Sequence, residues 1–169
     1  MTLRSAFSFV VLTAAAASAC HGSNGTKTPP PHPVSCGGSA SAQGMVGSVA
    51  FVADDVSVVG VNGNALTIFL TDSVHGNSIL WFSIVRSPTT KMFAPGSYQA
   101  EAVFTPNLVG LVNVELTAVV DPFDTAGQPL PGPDGGSAGS VAGSFVANFG
   151  NDIIYGDFSS PVCSVTDNV

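Results

Sequence analysis

The sequence predicts an all-β fold, a single antiparallel β-sandwich or partly closed barrel of seven to eight strands spanning residues 37–169. Three observations predict it. Apolar and polar side chains alternate with a period of two along several stretches, as in strands that bury one face. The dipeptides Asn62-Gly63 and Gly150-Asn151 separate such stretches, and residues of this kind tolerate the positive φ that tight hairpins need. The composition is 45% hydrophobic and 9% charged with 19 glycines, which favours strands over amphipathic helices.

The chain opens with the three parts of an export signal: a short leader carrying Arg4, an apolar run from Phe7 to Leu12, and a small-residue tail from Thr13 to Ala19. The apolar stretch is too short for a membrane-spanning helix, which takes roughly twenty residues. Its end, Ala17-Ser18-Ala19-Cys20, resembles the lipobox of bacterial lipoproteins, with Ala17 where leucine is usual. The resemblance implies a signal peptide over 1–19, acylation of Cys20, and a protein held on a membrane by three chains, where one chain alone holds only marginally. His21 stands where many Gram-negative lipoproteins carry an inner-membrane retention aspartate, so the resemblance points to an outer membrane lipoprotein on the periplasmic or surface face. Read without it, the same residues also permit an ordinary Ala-x-Ala cut and a secreted soluble protein.

Residues 20–36 form a tether. His21 to Ser35 shows no apolar periodicity, and the Pro29-Pro30-Pro31-His32-Pro33 run favours stiff polyproline II. His21 and His32 stand too far apart in such a segment to suggest a metal site.

Four basic residues face eleven acidic ones, for a net charge of −7. Loss of residues 1–19 would leave only Lys27, Arg86 and Lys91 as cations. Nucleic acid is therefore excluded as a partner, as is polybasic attraction to anionic lipid. The expected membrane contact is the lipid anchor.

The strands follow in order. Gly44–Ala53 and Val56–Val61 read as two strands joined by a tight turn at Asp54-Asp55, and Asn62-Gly63 then leads into Ala65–Thr71. Ser78–Val85, with the single tryptophan Trp81, is apolar on both faces and reads as a central strand. Gly96–Phe104 alternates, with Tyr98, Ala100, Ala102 and Phe104 inward and Gln99 and Glu101 outward. Leu111–Val120 does likewise, with Val112, Val114, Leu116, Ala118 and Val120 inward and Asn113, Glu115 and Thr117 outward.

The Pro- and Gly-rich stretch Asp121–Gly139 is long for a loop and predicts a mobile segment, the natural place for a ligand site. Ser140–Phe149 and Asp152–Cys163 form the last hairpin, each carrying Gly-x-Phe, at Gly143-Ser144-Phe145 and Gly156-Asp157-Phe158. This ending, over roughly thirty residues through Pro161-Val162-Cys163, resembles uncharacterised β-rich Gram-negative lipoproteins, which implies a fold and an address but no activity.

No catalytic motif emerges. His75 lies in a turn with no nucleophile elbow nearby, and Glu101 and Glu115 read as solvent-facing. No cofactor motif is present. Asp121, Asp124 and Asp134 are weak calcium candidates in the long loop, without EF-hand spacing. With Cys20 acylated in an oxidising compartment, Cys36 and Cys163 remain to pair, closing the domain's two ends; the competing Cys20–Cys36 pair would forbid acylation. The expected function is that of a non-catalytic binding or structural module with a protein or glycan partner. The alternatives are a ligand- or glycan-binding module using loop 121–139, with or without calcium, and a secreted hydrolase.

Overall fold

The computed structural model describes residues 36–132 and 138–166, with side chains through Cys163. Nine strands are present: β1 Ser39–Val46, β2 Val49–Val52, β3 Asp55–Val61, β4 Ala65–Asp72, β5 Ser78–Val85, β6 Gly96–Phe104, β7 Leu108–Val120, β8 Ser140–Phe149 and β9 Asp152–Thr166. Strands β3 to β9 run in the order β3-β4-β5-β6-β7-β8-β9, and β9 returns to β3, so seven strands close a barrel. β1 pairs with the first half of β9, and β2 pairs with β1 outside the ring.

The all-β expectation is met in its barrel form rather than as a sandwich, with two corrections. The strands number nine, and the sheet is mixed, because the end of β9 lies parallel to β3, from Val58 opposite Val162 to Val61 opposite Thr166. β9 can serve both partners because it is long: Ile153–Ser159 pair with β1, and the residues beyond Pro161 pair with β3.

The hairpins follow local chemistry. Asn62 and Gly63 have φ of 49° and 66° between β3 and β4, which supplies the left-handed backbone that turn requires. The run from Gly44 to Ala53 is not one strand: Gly47, at φ 60°, turns it back on itself, and Met45 faces Ala50. Asp54-Asp55 is accordingly no hairpin turn. Asp54 donates its backbone N–H to Thr71, and β3 starts at Asp55 beside β4.

Inside the ring, alternate residues build one core. Phe82, Phe145 and Phe158 pack tilted or edge-on with centroids 5.4 to 6.4 Å apart, and Phe104 joins Phe51 and Phe149 at 5.7 and 6.0 Å. These rings, with Val58, Leu66, Ile68, Leu80 and Ile154, fill the interior. β5 is central, but only one of its faces is in this core: Ser78, Leu80, Phe82 and Ile84 are buried while Trp81 is half-exposed on the other side. In β7, Val112, Val114 and Leu116 point inward as expected, whereas Ala118 and Val120 do not. A bulge between Leu116 and Ala118 inserts one residue opposite β8, which flips the faces and turns Val119 toward the core instead.

Candidate functional site

The stretch expected to be a mobile ligand loop is, over its described part, a packed plug. Phe123 is buried in the core, and Arg86 stacks over its ring at 5.8 Å. The Arg86 guanidinium also donates to the Lys91 and Asp124 carbonyls at 2.9 and 3.0 Å, and Gly127 seats against Gly63 of the β3–β4 turn. Two of the three calcium candidates, Asp121 and Asp124, are engaged in this plug. Asp121 accepts the Phe93 and Phe123 backbone N–H groups at 2.7 and 3.0 Å, and Asp124 accepts those of Ala126 and Gln128 at 2.8 Å each. These carboxylates hold the turn together, as Asp commonly does. Asp134 and Cys20 lie outside the described residues, as do His21 and His32. No group of three or more metal-ligating side chains occurs among the described residues.

His75 is exposed in the β4–β5 turn, and its Nδ1 lies 3.1 Å from Asp72. Asp72 is fully buried and accepts the backbone N–H groups of Val52, Val74 and His75 at 2.8, 3.0 and 2.7 Å. Burial pushes its pKa up, but hydrogen bonds from the Val52 and His75 backbone and from the His75 ring outweigh that, and the carboxyl is held below the usual carboxylate range. The pair thus ties β2 to the turn after β4. Cys36 and Cys163 form a disulfide with their Cα atoms 5.4 Å apart.

Two largely polar rows lie on the outer wall, where β6, β7, β8, β9 and β1 lie side by side. Strand register aligns Ser97, Glu115, Ser144, Asp157 and Ser41 in one row across five strands. The next row holds Gln99, Asn113, Val146, Tyr155 and Gln43. At about 4.8 Å per strand, each row spans roughly 19 Å.

Neighbours within the rows are already oriented. Gln99 Nε2 donates to Asn113 Oδ1 at 2.9 Å, Gln43 Nε2 donates to the Tyr155 hydroxyl at 3.1 Å, and Ser97 Oγ donates to Glu115. An open depression of about 670 Å³ lies over Ser97, Gln99, Asn113, Glu115, Ser144 and Val146. A second, of about 310 Å³, lies further along the first row over Ser41, Asp157 and Ser159. Tyr155 is half-exposed between strands that carry them.

Glu101 and Glu115 are solvent-facing, as expected, but Glu115 belongs to this face. The sequence shows the outward alternation of β6 and β7. It does not show that β9 and β1 extend the same rows, because cross-strand register between distant segments leaves no local mark.

The fold and this face define a closed mixed β-barrel with a filled interior and an open polar outer wall. In comparisons with known proteins, no family model matches the chain, and neither a curated protein nor a solved structure matches it.

Proposed function

We propose that this chain is a non-catalytic binding module of a bacterial cell envelope, exported by residues 1–19, anchored through lipid on Cys20, and engaging a neutral glycan on its outer wall. The observation that carries the reading is the Ser97–Glu115–Ser144–Asp157–Ser41 row with the amide row beside it. Sugar hydroxyls donate and accept hydrogen bonds, and this face offers both: carboxylates accept, serines and amides do either. The Tyr155 ring adds an apolar surface with a polar tip, suited to the C–H face of a sugar. An elongated, shallow, open face fits a chain better than an isolated small molecule, which is usually enclosed. The acidic surface favours a neutral glycan over an anionic one.

The carboxylates support binding rather than catalysis. Asp72 is engaged by backbone amides, and Glu115 and Asp157 are spread along an exposed sheet.

Titration of the exported protein with neutral polysaccharides tests the reading. Tyr155→Ala and Asn113→Ala are expected each to weaken binding at least tenfold while leaving the melting temperature nearly unchanged, since both residues are exposed. Retention of full affinity by both variants would place the ligand elsewhere. Cys20→Ser is expected to release the protein from the membrane fraction, and a wild-type protein found wholly soluble would refute the anchor.

A further inference from the structure

Burial along β6 changes abruptly where β5 joins it. Ala102, Val103 and Phe104 are buried, and these are the residues paired with β5, opposite Phe82, Trp81 and Leu80. From Gly96 to Glu101 exposed residues alternate with half-buried ones. Tyr98 and Ala100 are only half-buried, although they face the interior as Ala102 and Phe104 do. On its other side β6 pairs with β7 along its whole length, from Gly96 opposite Leu116 to Phe104 opposite Leu108. Gly96 to Ala100 therefore form a strand edge within the ring, roughly 17 Å long at 3.4 Å per residue.

The ladder stops for a local reason. Arg86, which follows β5, donates its backbone N–H to the Asn64 carbonyl at 2.9 Å, toward β4, and its guanidinium to the Lys91 and Asp124 carbonyls. Beyond it, Pro88 has no N–H to offer. The end of β5 is thus held away from β6, and Val85, which the register would set opposite Gln99, is 60% exposed. Alternation gives the direction of the edge groups. Thr105 donates its N–H to Ile79 of β5 at 3.0 Å, and along a regular strand every second residue points the same way. The N–H and C=O groups of Gln99 and Ser97 accordingly point into the notch between β5 and β6, while those of Tyr98 and Ala100 serve β7. Among the described residues, none pairs with Gln99 or Ser97 through the backbone on that side.

We propose that this notch takes an extended segment of a partner polypeptide by β-strand addition. The segment lies antiparallel to β6, with its backbone on Ser97 and Gln99, small apolar side chains inward beside Tyr98 and Ala100, and basic side chains outward. A polypeptide fits because its own N–H and C=O groups recur on one side at every second residue, as those of Ser97 and Gln99 do. A second copy of the barrel would meet β5 and the 86–95 loop before its strands reached this edge, whereas a single extended chain carries nothing beside it. Charge sets the sign of the outward side chains. The chain carries a net charge of −7, and Glu101 and Glu115 stand on the outer face beside the edge, so lysine or arginine there meets opposite charge. This docking does not depend on the glycan reading, which uses side chains of the outer wall rather than the backbone edge of β6.

The probe is the heptapeptide KVKVKVK, acetylated and amidated, titrated into the exported protein. Its control is the same peptide with the lysine backbone nitrogens methylated, which keeps charge and side chains but removes the donors aimed at β6. The expected result is binding at least tenfold tighter than the control, with amide exchange at Ser97 and Gln99 slowed at least tenfold by saturating peptide. Gln99→Pro deletes one donor of the edge. Proline is tolerated where a strand's N–H faces no neighbour, so the variant is expected to keep its far-UV circular dichroism and to bind the peptide at least tenfold more weakly. Equal binding of the two peptides would reduce the effect to charge attraction and overturn the proposal. No binding at millimolar peptide, unchanged exchange at Ser97 and Gln99, or full binding by folded Gln99→Pro would overturn it as well.

Discussion

Phe145 of β8 lies directly across the ladder from Gly156 of β9, and Gly143 lies across from Phe158. The two Gly-x-Phe motifs of the last hairpin are thus halves of one packing device: each ring enters the core where the facing strand carries no side chain. The two rings meet at 6.3 Å. On the far side the glycines admit neighbouring backbone, since a Cβ on Gly156 would stand 2.4 Å from Ala42 Cα of β1.

Gly156→Ala is accordingly expected to destabilise the barrel by about 1–3 kcal/mol, the usual cost of overpacking, and to loosen β1. Denaturant melts measure the first, and amide exchange in β1 the second. A variant as stable as wild type would mean that β1 moves aside without cost.

The ease of reading this hairpin, and the difficulty elsewhere, has a physical basis. Ser140–Phe149, Ser78–Val85 and Gly96–Phe104 were legible because alternation and flanking turn residues are local signals. The β1–β2 turn is hidden inside GMVGSVAFVA, where Gly47-Ser48 is the only break between two apolar runs and carries no Asn, Asp or Pro to mark a turn. The flip after Leu116 follows from a bulge, and the parallel seam of β3 with β9 joins segments about a hundred residues apart. Neither is written in one stretch of sequence. The outer rows were missed for the same reason: Tyr155, Asp157, Gln43 and Ser41 acquire their neighbours only through register.

The plug formed by Asp121–Leu130 makes a second prediction. Phe123 is 2% exposed and carries Arg86 on its face, so Phe123→Ala is expected to cost about 3–5 kcal/mol, as for other buried phenylalanines. Thermal melts of the variant decide between a plug and a dispensable loop; a loss within half a kcal/mol would restore the latter. Added calcium is expected to leave the wild-type melting temperature unchanged, because Asp121 and Asp124 already hold backbone amides.

Asp72 gives a pH dependence with a defined sign. Its folded-state pKa lies below that of the unfolded chain, so its stabilising contribution is complete above the unfolded value, near 4, and is lost as pH falls from there through the folded value. Asp72→Asn sets an amide N–H₂ against backbone donors and leaves some unpaired, at a cost of about 1–3 kcal/mol. Melting temperatures of wild type and variant are expected to differ at neutral pH and to converge in acid. A difference that grows on acidification would reverse the assignment.

The Cys36–Cys163 disulfide should matter most at the parallel seam. It closes a sequence separation of 127 residues, for which the chain-entropy model gives a stabilisation of up to about 5 kcal/mol. Cys163 immediately follows the residues where β9 leaves β1 and takes up β3, so the bond pins the β9 segment that completes the ring. The other six junctions of the ring are antiparallel and all join strands consecutive in the chain, whereas β3 and β9 are joined by no turn and must find each other across the whole domain. Reduction, or Cys36→Ser with Cys163→Ser, is therefore expected to lower the melting temperature and to raise amide exchange first in Val58–Val61. Exchange in β6 and β7, held by their own hairpin, should rise only with global unfolding. Uniform loss of protection on reduction would show that the bond acts through the unfolded chain alone, and an unchanged melting temperature would show that the seam holds without it.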